Sequence, residues 1–129
     1  MDLQLAHKHI LITGGSKGIG LACAQAFLQE GAKVSLVSRD TANLDKARQS
    51  LQTQFAAERI HTVAADLRDP QAALAALDSA EAAFGPVDVL VNSAGAAKRT
   101  PAPELTPAAW ADAMQAKYFT YIHMINPSI

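Results

Sequence analysis

Apolar and polar positions along this chain alternate between two rhythms. Lys8 to Thr13 is an apolar run consistent with a strand buried on both faces. From Ile19 the rhythm becomes helical. Ile19, Ala22, Cys23, Ala26 and Phe27 share one face of a helix predicted from Gly18 to about Glu30, and Gly31 stops it. Lys33 to Ser38 is the second strand. Asp40 is placed to cap a second helix with the stripe Leu44, Ala47, Leu51 and Phe55. Arg59 to Ala65 is the third strand. Asp69-Pro70 opens a third helix lined by Leu74, Leu77 and Phe84. Gly85-Pro86 breaks it, and Val87 to Asn92 is the fourth strand. Residues 96 to 105 form a proline-containing loop, and Thr106-Pro107 starts a fourth helix.

Strands alternating with helices predict an open parallel sheet with helices on both faces. Right-handed crossovers in a doubly wound α/β fold give strand order 3-2-1-4. Ligands of such sheets lie beyond the carboxyl ends of the strands, where the order reverses. Gly14, Arg39, Asp66 and Asn92 all fall at such ends.

The chemistry concentrates first in Thr13-Gly14-Gly15-Ser16-Lys17-Gly18-Ile19-Gly20, between the first strand and the first helix. Glycines at 14, 18 and 20 permit a sharp turn and a close backbone approach to a ligand. The helix that follows points free N–H groups and its positive dipole end at the same place, which suits a pyrophosphate. The spacing is G-x-x-x-G-x-G, and no Gly-Lys-Ser/Thr closes it as in a P-loop. A tight strand-to-helix turn without a ligand is the plainer alternative.

Composition narrows the choices. The chain has 129 residues, half of them hydrophobic, with formal net charge −1. This suits one globular domain over residues 1–129. The balanced charge gives no footprint for nucleic acid or an acidic membrane surface. Cys23 is the single cysteine, so no internal disulfide framework exists. With no signal-peptide pattern and no run of membrane-spanning length, the expected location is cytoplasmic. His7, His9, His61 and His123 have no common ligand spacing, and no metal site is expected. Cys23 reads as a core residue.

Four segments together resemble the short-chain dehydrogenase/reductase family: the glycine turn, Val37-Ser38-Arg39-Asp40, Asp66-Leu67 and Asn92-Ser93-Ala94-Gly95. The resemblance covers Lys8 to Gly95 and implies a Rossmann-like fold, a nicotinamide cofactor and hydride transfer with a carbonyl or alcohol substrate. It implies that Asp66 accepts from the adenine amino group, with Leu67 beside it. A turn-ending role for Asp66 is the alternative. It further implies that Asn92 ties the fourth strand to its neighbours, and that Ala94 and Gly95 leave room for the cofactor ribose. Ser93 stands where the family has a second asparagine and is read as a neutral exchange, not a nucleophile.

Cofactor choice turns on the end of the second strand. NAD sites usually carry a carboxylate about 20 residues past the glycine turn. Here Ser38 and Arg39 stand there, and a guanidinium suits the 2′-phosphate of NADP. Lys17 adds a second cation, so NADP(H) is expected over NAD(H). Two solvated surface cations are the alternative. Asp40 is expected to cap its helix. The expected cofactor-contacting set is Gly14, Ser16, Lys17, Gly18, Ile19, Gly20, Ser38, Arg39, Asp66, Leu67, Asn92, Ala94 and Gly95.

The sequence also departs from the family. No Tyr-x-x-x-Lys occurs: Tyr118 is followed at that spacing by Ile122, and Tyr121 by Ile125. The family's serine and tyrosine are expected beyond residue 129. The chain therefore reads as the cofactor-binding N-terminal half of an oxidoreductase, truncated before the later strands and inactive by itself. Rival readings are a complete NADP(H)-binding module or sensor, and a subunit completed by another polypeptide. Lys117 stands where the family often has asparagine, on one helical face with Trp110, Met114 and Tyr121. It reads either as part of a proton relay or substrate site, or as a lysine snorkelling from a subunit interface. Trp110 is expected to pack. A homo-oligomer is expected, because the fourth strand would be a sheet edge.

Overall fold

The structure, a computed structural model of the chain, describes residues 3–94, 103, 106–114 and 119–128. Its elements run β1 (His9–Thr13), α1 (Gly18–Gln29), β2 (Lys33–Ser38), α2 (Thr41–Gln52), a short 3-10 turn (Ala57–Arg59), β3 (Ile60–Ala64), α3 (Pro70–Phe84), β4 (Val89–Asn92), α4 (Pro107–Met114) and α5 (Thr120–Ser128). The four strands form one parallel sheet in the order β3-β2-β1-β4. The register pairs Leu11 with Ser35 and Leu90, and Leu36 with Thr62.

Successive strand residues point to opposite faces, and both faces are covered. Ile10, Ile12, Val34 and Leu36 pack with Ala24 and Leu28 of α1 and Leu44, Ala47 and Leu51 of α2. Leu11 and Val37 pack on the other side with Ala73, Ala76, Leu77 and Ala80 of α3 and Met124 of α5. This is the doubly wound arrangement expected from the sequence. The central strand β1 is buried along its whole length, whereas every residue of β4 is half-buried.

Three helices begin as read. Asp40 accepts from Asn43 N at 3.1 Å, Asp69 accepts from Gln71 N at 2.9 Å with Pro70 at the first helical position, and Thr106 Oγ1 accepts from Ala109 N at 3.1 Å. Arg59 adds a tie that the side-chain pattern does not show: its guanidinium donates to Leu28 O in the last turn of α1 and to Ala32 O just before β2.

Helical faces were read less well than helical spans. On α1 the buried residues are Gly20, Ala24 and Leu28, while Ala22 and Ala26 are exposed and Ile19 is 78% exposed. The face turns by about one residue because Gly20 sets the contact with Gly14 and Ser93 in the turns after β1 and β4. Cys23 and Phe27 are half-buried against the core, as expected. On α3 the small residues Ala73, Ala76 and Ala80 meet the sheet, and Leu74 is exposed. The last helix also differs. Trp110 and Met114 lie on α4, Tyr121 lies on the separate α5, and Trp110 is 61% exposed instead of packed. Lys117 lies outside the described residues.

Candidate functional site

The carboxyl ends of all four strands open into one cleft of about 540 Å³. Its floor is built by the turn after β1. Gly14 N donates to Val37 O at 2.8 Å, which ties that turn to β2. Gly14 has φ +68°, and a Cβ there would lie 2.9 Å from Ala94 N and Cα, so the turns after β1 and β4 are in contact. Thr13, fully buried, fastens them: its Oγ1 accepts from Ser93 N and Ala94 N, both at 3.2 Å, and its carbonyl accepts from Ser93 Oγ at 2.7 Å. The Ser93 hydroxyl therefore does structural work. The tie foreseen for Asn92 is carried mainly by Ser93 and Thr13, while Asn92 Oδ1 accepts from Thr13 Oγ1 at 3.5 Å.

Of the residues read from the sequence, Gly14, Ser16, Lys17, Ser38, Arg39, Asp66, Leu67 and Ala94 line this cleft. Gly18, Ile19, Gly20 and Asn92 do not line it, and Gly95 lies outside the described residues. Gly18 has φ +61°, and a Cβ on it would meet nothing within 4 Å. Gly20 is the opposite case: a Cβ would lie 2.1 Å from Gly14 O and 2.7 Å from Ser93 Oγ. Its lack of a side chain lets α1 settle onto the strand turn. Ser16 Oγ donates to Ser38 Oγ at 3.2 Å, joining the glycine turn to the end of β2.

This geometry fits a dinucleotide. No side chain caps α1 at Lys17 and its first turn carries no acidic residue, whereas α2 and α3 are capped by aspartates. A helix N-terminus without a side-chain cap can receive an anion. Asp40 is committed to its cap, receiving Asn43 N and Asn43 Nδ2. Lys17 and Arg39, from different loops, line the same cleft, and neither joins an ion pair among the described residues.

Asp66 is paired. Arg68 Nε donates to its Oδ1 at 3.0 Å, Arg68 Nη2 to its Oδ2 at 2.8 Å, and Arg68 N to Oδ1 at 3.0 Å. Hydrogen bonding from Arg68, with a smaller contribution from Arg39, holds the Asp66 carboxyl down to about 2. Arg68 and Asp112, which also line the cleft, were not singled out from the sequence. The one local signal for Arg68 was its position two residues after Asp66. Nothing local marked Asp112, which reaches the cleft from α4. His123 is on α5 and donates from Nδ1 to Leu67 O at 2.7 Å.

A second polar group lies at the opposite end of the strands. His9 Nδ1 donates to Gly85 O at 2.9 Å, and its Nε2 hydrogen-bonds with Ser35 Oγ at 2.7 Å. The Phe84 ring meets His9 edge-on at 5.3 Å, with Lys33 Nζ 5.6 Å from its centroid. Burial, above all, lowers the His9 pKa. These contacts brace the sheet and lie away from the cleft. Among the described residues no His, Cys, Asp and Glu cluster could hold a metal ion, and no helix is long and apolar enough to cross a membrane.

The sequence profile of the short chain dehydrogenases matches residues 8–128. The chain is 42% identical to a 3-dehydrosphinganine reductase of Arabidopsis thaliana over 74% of its own length and 27% of that enzyme's. It is 36% identical to a gluconate 5-dehydrogenase of Gluconobacter oxydans over 86% of its length and 43% of the relative's. Among solved structures, L-sorbose reductase from Gluconobacter frateurii, complexed with NADPH and L-sorbose, superposes with TM-score 0.90 at 33% identity, covering 98% of this chain and 48% of that one. An NADPH-bound short chain oxidoreductase of Pseudomonas aeruginosa with an atypical catalytic center does so with TM-score 0.90 at 32% identity, covering 95% and 48%. The chain spans less than half the length of each of these proteins.

Proposed function

The chain belongs to the short chain dehydrogenase family, and from that premise we propose that its 129 residues form the cofactor-binding N-terminal half of an NADP(H)-dependent oxidoreductase. The glycine turn and the α1 N-terminus receive the pyrophosphate. Asp66 and Leu67 face the adenine, and Ala94 leaves space for the nicotinamide ribose. Lys17 and Arg39 receive the 2′-phosphate. When bound, the nicotinamide supplies hydride exchange with a carbonyl or alcohol. The residues of this chain bind and orient the cofactor.

The observation that carries the reading is the convergence of Lys17 and Arg39 on one cleft while Asp40 is held in its helix cap. A carboxylate free to accept from both ribose hydroxyls would favour NAD(H); two cations favour the phosphate. The NADPH-bound neighbours support a nicotinamide cofactor in this fold. The test is parallel titration of the chain with NADPH and NADH, following Trp110 fluorescence or heat. Tighter NADPH binding is expected, and equal affinity overturns the preference.

A further inference from the structure

Arg39 and Asp66 leave adjacent strand ends. β2 and β3 are paired neighbours, and Ala65 N donates to Ser38 O at 2.9 Å immediately before the two side chains diverge into the cleft. Paired strands lie about 4.8 Å apart. The carboxylate of Asp66 is therefore within electrostatic reach of the guanidinium assigned to the 2′-phosphate. Unopposed, it would attract Arg39 and repel the phosphate.

Arg68 opposes it. Its planar fork engages both oxygens of Asp66, the single ion pair among the described residues. The described side chains lining the cleft include three permanent cations, Lys17, Arg39 and Arg68, against the two carboxylates Asp66 and Asp112. The surplus of one positive charge vanishes without Arg68. Resting on the NADP(H) reading above, we infer that Arg68 is a specificity-determining residue acting through Asp66: it occupies the carboxylate, leaves Arg39 to the 2′-phosphate, and so sets how strongly the site separates NADP(H) from NAD(H). Asp66 is held ionised throughout the neutral range, so the compensation is needed at every working pH. Asp112 of α4, which also lines the cleft, acts electrostatically on Arg68 as well.

The experiment measures dissociation constants of NADPH and NADH for the whole chain and its variants at low ionic strength. Both ligands carry the same adenine, so any loss of adenine contact cancels in their ratio, and the ratio isolates the 2′-phosphate. Arg68→Ala is expected to reduce the NADPH preference about two- to fivefold, the size of coupling expected for an exposed charge pair. Arg68→Lys, which keeps the charge, retains the preference. Adding Asp66→Asn to Arg68→Ala restores it, because the carboxylate to be compensated is gone. An unchanged ratio in Arg68→Ala, or no recovery in the double variant, overturns the inference. Arg39→Ala keeps the two levels apart. If wild type prefers NADPH, Arg39→Ala abolishes that preference and Arg68→Ala leaves it intact, the role of Arg68 falls and the NADP(H) reading stands. If wild type shows no preference, both fall.

Discussion

Gly20 sits so close to Gly14 that a Cβ on Gly20 would lie 2.1 Å from the Gly14 carbonyl oxygen. The two glycines of the turn at 18 and 20 thus have different duties. Gly20 lets α1 dock on the turn after β1, while Gly18 faces open space in a left-handed backbone. Gly20→Val is expected to unsettle the domain, lowering its melting temperature strongly. Gly18→Val is expected to stay folded, losing about 1–2 kcal/mol to backbone strain, and to lose nucleotide binding. Circular dichroism and an NADPH titration measure both. A folded Gly18→Val that binds as wild type would place the pyrophosphate elsewhere.

Arg39 carries the next expectation. If its guanidinium meets the 2′-phosphate, removing it forfeits a charge-assisted hydrogen bond worth roughly 1.5–3 kcal/mol. Arg39→Ala should therefore narrow the gap between NADPH and NADH by about tenfold or more, with NADH affinity little changed. A variant that weakens both cofactors equally would assign Arg39 to a feature they share.

The span and order of the elements were legible because apolar runs and helical stripes follow backbone periodicity, and because Asp40 and Asp69-Pro70 announce helix starts chemically. The face of α1 was not, because steric room at Gly20 decides it, and that room is made by Gly14 and Ser93, distant in sequence. Most of the cleft could be read from residues at strand ends. Arg68 escaped because neither reading of Asp66, adenine acceptor or turn residue, gives its carboxylate a side-chain partner. Asp112 escaped because helix α4 brings it to the cleft from another part of the chain. Arg59 escaped because its acceptors, Leu28 O and Ala32 O, are backbone atoms that carry no signature in the side-chain pattern.

His9 makes stability depend on pH. Burial holds its pKa below the ordinary value. Near the ordinary histidine value of about 6.5 the unfolded chain therefore binds more protons than the folded one, so stability is complete above that pH and declines as pH falls through it. His61, also lowered by burial, acts in the same direction. His9→Leu removes the partner of Ser35 Oγ and Gly85 O. It should lose about 1–3 kcal/mol at neutral pH while flattening the decline on acidification. Urea titrations across the range measure this, and an equally steep decline in the variant would move the effect to another group.

Catalysis by the chain alone is expected to be absent. Tyr121 is on α5 and has no lysine at the spacing by which the family lowers a tyrosine pKa. Incubation with NADPH and a panel of carbonyl compounds should leave absorbance at the nicotinamide band unchanged. Measurable oxidation would demand a different acid, with Lys117 and Tyr121 the first to substitute.

Assembly is the last expectation, and it follows from what the sheet leaves uncovered. Among the described residues β4 pairs with β1 alone, and each of its residues is half-buried while β1 is sealed. Trp110 and Met114 on α4 and Ile122 and Ile125 on α5 are also exposed. A strand edge and exposed large apolar side chains each favour association. Light scattering of the chain at micromolar concentration should therefore report a dimer or larger species. Ile122→Lys with Ile125→Lys should shift it towards monomer, because a charge at each position must otherwise be desolvated in the contact. The core residue Met124 is untouched by these changes, so folding is expected to persist. A monodisperse wild-type monomer would show that the exposed edge and helices are tolerated in water, and would favour the self-contained binding module over half of a larger enzyme.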